Sequence, residues 1–306
     1  MRPWCRLVLS GFAVWLCQPA NFSHAVDLEA IVGNATEPAV SPDGSNLVFV
    51  QPLRGPPLEF WPTVQAQTLP GASIRLSSAP SDGWMQSPSW SPDGTRVAAD
   101  FSGEGSNSNG IWLLSTSYLQ PAVHLITDSD ARQPTWSNDS SMLAYVSGGN
   151  LWIAVFSLPF YLARREIDIP GTASSPSWGP DNEIVFELDG GLWIIDWFTE
   201  ELRQLTLSGM TDTEPSWSRD GKRIAFSSQR SGNRDIWQIA ASGGTTVPLT
   251  SDPAVDSHPS WSNSSTSLFF HSDRSGTPQI WLMSNIEDPT VGVESKDWGS
   301  IKKLYR

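Results

Sequence analysis

Glu214-Pro215-Ser216-Trp217-Ser218-Arg219-Asp220-Gly221-Lys222-Arg223-Ile224-Ala225-Phe226 is one copy of a pattern that this chain writes six times. The copy continues through Arg230-Ser231-Gly232 and Asp235-Ile236-Trp237 to Pro248-Leu249-Thr250. Its anchor proline recurs at Pro38, Pro88, Pro134, Pro176 and Pro259. Two residues after the anchor stand Trp90, Trp136, Trp178, Trp217 and Trp261, with Val40 in the first copy. A turn follows, clearest as Ser-Pro-Asp-Gly at Ser41–Gly44 and Ser91–Gly94. Proline presets φ, Asp caps the turn with its side chain, and Gly accepts φ > 0.

Next in each copy come a short apolar run, a polar loop and a second aromatic run carrying Trp61, Trp112, Trp152, Trp193, Trp237 or Trp281. Most copies close on a Leu-Thr-like pair, and Leu304 is placed as the end of the sixth. Each unit reads as four short strands, A to D, with no helical periodicity. Four antiparallel strands repeated radially make a propeller blade, and units of about 40–45 residues have blade length. The expectation is an all-β, six-bladed propeller of four-stranded antiparallel blades. Of the fourteen tryptophans outside the N-terminal leader, eleven fall at the two repeated positions and are read as packing between blades. Trp84, Trp197 and Trp298 lie outside the pattern and are candidates for exposed contacts.

Residues 1–25 have the form of a secretory signal peptide: Arg2 and Arg6, an apolar stretch from Leu7 to Cys17, then Ser23-His24-Ala25. The remainder, 26–306, is expected to be one propeller domain, located in the periplasm or secreted. Both cysteines, Cys5 and Cys17, fall in the leader, so the mature chain has no disulfide or thiolate chemistry. No later run is long enough to span a bilayer, which takes about 20 residues. The formal charge of −13 becomes −15 once the two leader arginines are gone. That balance argues against nucleic acid, whose binding relies on Lys and Arg. It favours basic partners or cations.

The Pro-x-Trp-Ser-Pro-Asp-Gly…Ile-Ala-Phe…Arg-x-Gly…Ile-Trp…Leu-Thr pattern resembles the TolB-type propeller repeat. The resemblance covers essentially all of residues 26–306 and implies an exported propeller that docks an envelope protein. Only Val26 to Thr36 separates the leader from the first blade, so the N-terminal α/β domain of that family is not expected. Similar propellers precede prolyl-oligopeptidase-type hydrolase domains, but the chain carries no Gly-x-Ser-x-Gly and ends with the sixth repeat. Oligogalacturonate lyases share the repeat as well and use histidine-bound metal.

Propeller geometry opens the D–A and B–C loops on one face and the A–B and C–D loops on the other. The residues just before the anchor prolines, Glu37, Ser87, Gln133, Ser175, Glu214 and His258, should ring the central channel. Glu37, Glu214 and His258 belong to neighbouring blades and together would suit a divalent cation. Arg230 and Arg274, in the B–C loops, either bridge to Asp212 and Asp256 or present guanidinium to a partner, with Trp84 and Trp298 as further contacts. The leading expectation is a monomeric, non-enzymatic scaffold for a protein or peptide partner in the cell envelope, with no catalytic residue. The alternative is a metal-dependent carbohydrate-active enzyme, lyase-like, at the channel mouth. Residues 26–33 alternate loosely, as an added strand of the last blade would, and the insertion at 285–299 reads as a contact loop.

Overall fold

A computed structural model describes residues 27–55, 59–68, 73–75, 83–103, 106–116, 121–157 and 161–286. The leader, Trp298, Leu304 and all but the first two residues of the 285–299 insertion lie outside these residues.

Among the described residues the strands pair only into four-stranded antiparallel sheets. The first runs β2 (Thr36–Val40), β3 (Asn46–Gly55), β4 (Glu59–Thr68), β5 (Ser73–Arg75). The second runs β6 (Trp84–Trp90), β7 (Arg96–Ser102), β8 (Gly110–Ser115), β9 (Val123–Ile126). The third is β10 (Arg132–Trp136), β11 (Met142–Ser147), β12 (Asn150–Ser157), β13 (Tyr161–Ile167). The fourth is β14 (Ala173–Trp178), β15 (Glu183–Leu188), β16 (Gly191–Asp196), β17 (Leu202–Gln204). The fifth is β18 (Thr213–Trp217), β19 (Arg223–Ser228), β20 (Asp235–Ala240), β21 (Val247–Pro248). These five are blades cut from one continuous stretch each, innermost strand first.

The last sheet is composite. β22 (Asp256–Trp261), β23 (Leu268–Ser272) and β24 (Gln279–Ser284) supply three strands, and the fourth is β1 (Asp27–Gly33), in the order β1-β24-β23-β22. The expectation of six self-contained units is corrected here: only five are. The outer place assigned to Leu304 is taken by β1, which pairs antiparallel with β24 from Asp27↔Ser284 to Gly33↔Gln279. The physical reason is closure, since a strand from the other end of the chain ties the first and last sheets together and leaves no seam between chain ends. Inside the ring the innermost strands touch in sequence, β2 to β6, β10, β14, β18, β22 and back to β2.

The core lies between sheets. Strand-B residues Phe49, Phe101, Tyr145, Phe186, Phe226 and Phe270 are fully buried. One apolar cluster joins Phe186 and Ile184 to Val146 and Ile153 of the preceding blade. Another joins Phe269 and Ile280 of the composite sheet to Leu47 and Phe49 of the first, with Ile31 of β1 packed against it. Aromatic burial of this kind dominates core energetics. Trp136, Trp178, Trp217 and Trp261 are buried in these interfaces, as the repeat implied.

The turns follow their sequence. Ser91 donates to Asp93 Oδ1 (2.6 Å) and accepts the Arg96 N–H (3.0 Å), while the Gly94 N–H closes on Ser91 O (2.9 Å). In the first blade the equivalent bonds from Ser41 and Ser45 hold the Asp43 carboxyl down at about 2. The fourth blade has Gly179 where the others have serine; a Cβ there would stand 2.4 Å from Trp217 Cε3, so glycine admits the neighbouring indole. Among the described residues no helix is long and apolar enough to cross a membrane.

Candidate functional site

Glu37, Ser87, Gln133, Ser175, Glu214 and His258 all line one central cavity of about 460 Å³, bounded by the innermost strands. All six have left-handed backbones, φ 49–55°. Each sits where the register between strands A and B slips, between Thr36 and Ala39 in the first blade and between Ser257 and Ser260 in the last. A bulge of this kind re-aims a side chain. A non-glycine residue held there costs roughly 1–3 kcal/mol and persists only where its surroundings over-determine it.

The surroundings are the next blade's neighbours. The Ser87 N–H donates to Glu37 Oε2 (2.5 Å). The Ser175 N–H donates to Gln133 Oε1 (2.8 Å) and the His258 N–H to Glu214 Oε2 (2.9 Å). Thus a long acceptor on every second blade reaches forward to the left-handed residue of the next. Where the ring residue is the short Ser87, the acceptor comes from strand B: the Gln133 N–H donates to Asp100 Oδ1 (3.0 Å). Asp100, Glu187 and His271 hold one register position, directly after the second blade's Ala99 and the aromatics Phe186 and Phe270. The alternate blades put Val50, Val146 and Ser227 there. Sequence reasoning missed these three; the signal was an ionisable residue within a strand-B apolar run.

Electrostatics follow from that placement. Burial pushes the Asp100 carboxyl up to about 7, with the Glu37 charge adding and the Gln133 and Ser87 hydrogen bonds opposing. Burial also raises Glu187. Burial would raise Glu214, but His258, its N–H, Ser227 and Arg234 outweigh it, and the net shift is downward. Burial lowers His271. Ser257 Oγ lies 3.0 Å from His271 Nδ1 and 3.1 Å from His258 Nδ1, so it can donate to one ring while accepting from the other.

Of the three proposed metal ligands, the structure brings together two. His258 Nε2 is 3.4 Å from Glu214 Oε1. Glu37 instead reaches forward to Ser87, away from His258. Among the described residues no three His, Cys, Asp or Glu side chains form a group that could hold a metal ion.

Arg230 and Arg274 turn inward. Arg230 Nη2 pairs with Asp212 (2.5 Å), which is fully buried, and Nη1 and Nε donate to Thr246 and Ser228. Its guanidinium stacks 5.1 Å from the Phe226 centroid and 5.0 Å from Trp237. Arg274 repeats this with Asp256 (2.8 Å), Ser272, Phe270 and Trp281, and adds Asp252. These are staples between the D–A loop and the B–C loop, so neither guanidinium is presented to a partner. In the fourth blade Ala173 and Leu188 stand at the Asp212 and Ser228 positions and pack apolar instead.

The D–A/B–C face carries exposed apolar side chains: Trp84, Val255, Met210 and, at 68% exposure, Leu207. Trp197 is not among them; it packs between Trp178 and Phe198.

A family profile described as the TolB beta propeller domain matches residues 122–251. The Tol-Pal system protein TolB of Bordetella pertussis is 31% identical over 132 residues, 40% of this chain and 30% of that protein. The chain is a β-propeller that is similar to the TolB type over residues 122–251. An uncharacterized peptidase, YuxL of Bacillus subtilis, is 28% identical over 177 residues, 55% of this chain and 26% of its own. The match thus spans less than a third of these curated relatives. TolB from Acinetobacter baumannii superposes with a TM-score of 0.59 at 18% identity, covering 85% of this chain and 66% of its own. An oligogalacturonate lyase in complex with manganese gives 0.58 at 15%, covering 85% and 79%. At such identities the superpositions speak to fold alone, because one propeller hosts many activities.

Proposed function

We propose that this TolB-like propeller is a non-enzymatic scaffold that docks a protein or peptide on its D–A/B–C face, in the cell envelope after export. The observation that carries the reading is the set of exposed apolar side chains, Trp84, Leu207, Met210 and Val255, all on D–A segments of one face. The ring residues beneath support the same reading, since their polar atoms hold blade to blade and so make a rigid platform. The resemblance to a Tol-Pal system protein supports the envelope setting.

The test compares the wild type with Leu207→Asp/Met210→Asp and with a control on the opposite face, Asp181→Lys. An envelope protein that co-purifies with wild type and control, and is lost with the double variant, supports the reading. Equal recovery with all three overturns it.

A further inference from the structure

Beyond the ring of pre-proline residues the channel holds a second ring. Two residues further along each innermost strand stand Ala39, Ser89, Thr135, Ser177, Ser216 and Ser260, all half-buried and all lining the same cavity. Three of these hydroxyls accept a backbone N–H from the next blade: Thr135 from Trp178 (3.2 Å), Ser177 from Trp217 (3.1 Å) and Ser216 from Trp261 (3.4 Å). None of the three donates its own proton to a described residue, and the hydroxyls of Ser89 and Ser260 bond no described residue at all. A hydroxyl carries one donor, so five O–H groups converge on the channel without an acceptor among the described residues.

Charge divides the channel into two ends. Of the charged side chains that line it, Glu37, Glu214 and His258 stand in the first ring, whereas Arg219 stands at the A–B end, past Trp217. The equivalent turn positions hold Pro42, Pro92, Asn138, Pro180 and Asn263, so the fifth blade alone puts a charge there. Arg219 is exposed and forms no ion pair among the described residues. The turn aspartates are committed elsewhere: Asp43, Asp93, Asp139 and Asp220 each accept from the serine that opens their own turn, and none of them lines the channel. Arg219 also borders an adjoining cavity of about 150 Å³ whose wall includes Trp90, Trp136, Trp178 and Trp217. A concave site of a few hundred Å³ with aromatic walls and a few convergent polar groups has the form of a small-molecule site.

One fixed positive charge selects one negative charge. A guanidinium fork matches the two oxygens of a carboxylate, and hydroxyl protons satisfy its remaining lone pairs. A dianion would leave a charge unmatched, and a cation would meet Arg219 and donors only. The acidic first ring repels an anion from the far end, so entry is from the A–B side. We propose that the A–B end of the channel binds a small organic monocarboxylate, its carboxylate held by Arg219 and the hydroxyl ring and its apolar part against the tryptophans. The site does not depend on what docks on the D–A/B–C face.

Isothermal titration calorimetry of the protein with benzoate, benzamide and benzylamine gives the readout, because the three share one ring and differ in charge. Benzoate should bind, and the other two at least about tenfold more weakly, as loss of a charge-assisted hydrogen bond does. Arg219→Pro installs the residue that three other turns carry, so melting should match the wild type while benzoate binding falls at least about tenfold. Arg219→Gln removes the same charge without touching the backbone and should fall equally. Ser89→Ala/Ser260→Ala copies Ala39 of the first blade and should weaken benzoate about threefold or more with unchanged melting. No benzoate binding up to about 10 mM, equal binding of benzamide, or wild-type affinity in both Arg219 variants overturns the proposal. Tighter binding of benzylamine also overturns it and assigns the channel to a cation at Glu37 and Glu214. Unchanged affinity in the double serine variant overturns the part given to the hydroxyl ring.

Discussion

Removing the Arg230 guanidinium while leaving its partner in place is the sharpest perturbation of this fold. Arg230→Met keeps much of the apolar stem over Phe226 and Trp237 but strands Asp212, whose side chain is wholly buried. Breaking a buried pair from one side costs about 3–5 kcal/mol, because an uncompensated charge stays behind. For a domain of this size that is a fall in Tm on the order of 10 °C. The fourth blade shows the remedy, with Ala173 and Leu188 in place of the aspartate and serine. Asp212→Ala/Ser228→Leu/Arg230→Met copies that solution and should recover all but about 1–2 kcal/mol, in line with apolar replacements of buried ion pairs. Guanidinium-induced unfolding followed by tryptophan fluorescence measures all three proteins. A loss under 1 kcal/mol in the single variant, or a triple variant worse than the single, would refute the staple.

Three further outcomes follow from the same geometry. The Asp100 pKa is about 7 when folded and 3.8 as the free side chain, so the folded protein binds the extra proton and Asp100 costs stability increasingly as pH rises from about 4 to 7. Asp100→Asn should therefore stabilise at pH 8 by about 2 kcal/mol or more, with the gain shrinking toward pH 4; a pH-independent difference in melting would contradict it. Gly179→Ala should cost about 1–3 kcal/mol in denaturant titration, because its Cβ meets a buried Trp217 ring that has nowhere to go. Deleting Asp27–Gly33 uncovers the β24 edge and should broaden and lower the thermal transition in calorimetry, whereas an unchanged transition would show that β1 does not close the ring.

The repeat made the blades legible because turn chemistry and strand alternation are local. Pro-Asp-Gly, the A-strand tryptophans and the buried strand-B aromatics follow from neighbours a few residues away. β1 was only suggested, since its seven residues become a strand by pairing with β24 at the far end of the chain. The ring of pre-proline residues was placed correctly, but not its backbone. A residue before proline leans toward extended conformations, and here the bulge and the next blade's acceptors override that preference. Glu37 shows the consequence: position in the ring put it beside His258, while the left-handed turn aims its carboxylate at Ser87. Sequence left two fates open for Arg230 and Arg274. The buried aspartates and the aromatic pairs under each guanidinium decide it.

The claim that the D–A/B–C face is the docking surface is tested most directly by site-specific photo-cross-linking in the envelope of the source cell. A photoreactive phenylalanine analogue at position 207 should yield a discrete adduct with one partner protein, and the same analogue at position 181, on the opposite face, should not. Adducts from 181 with none from 207 would contradict the account.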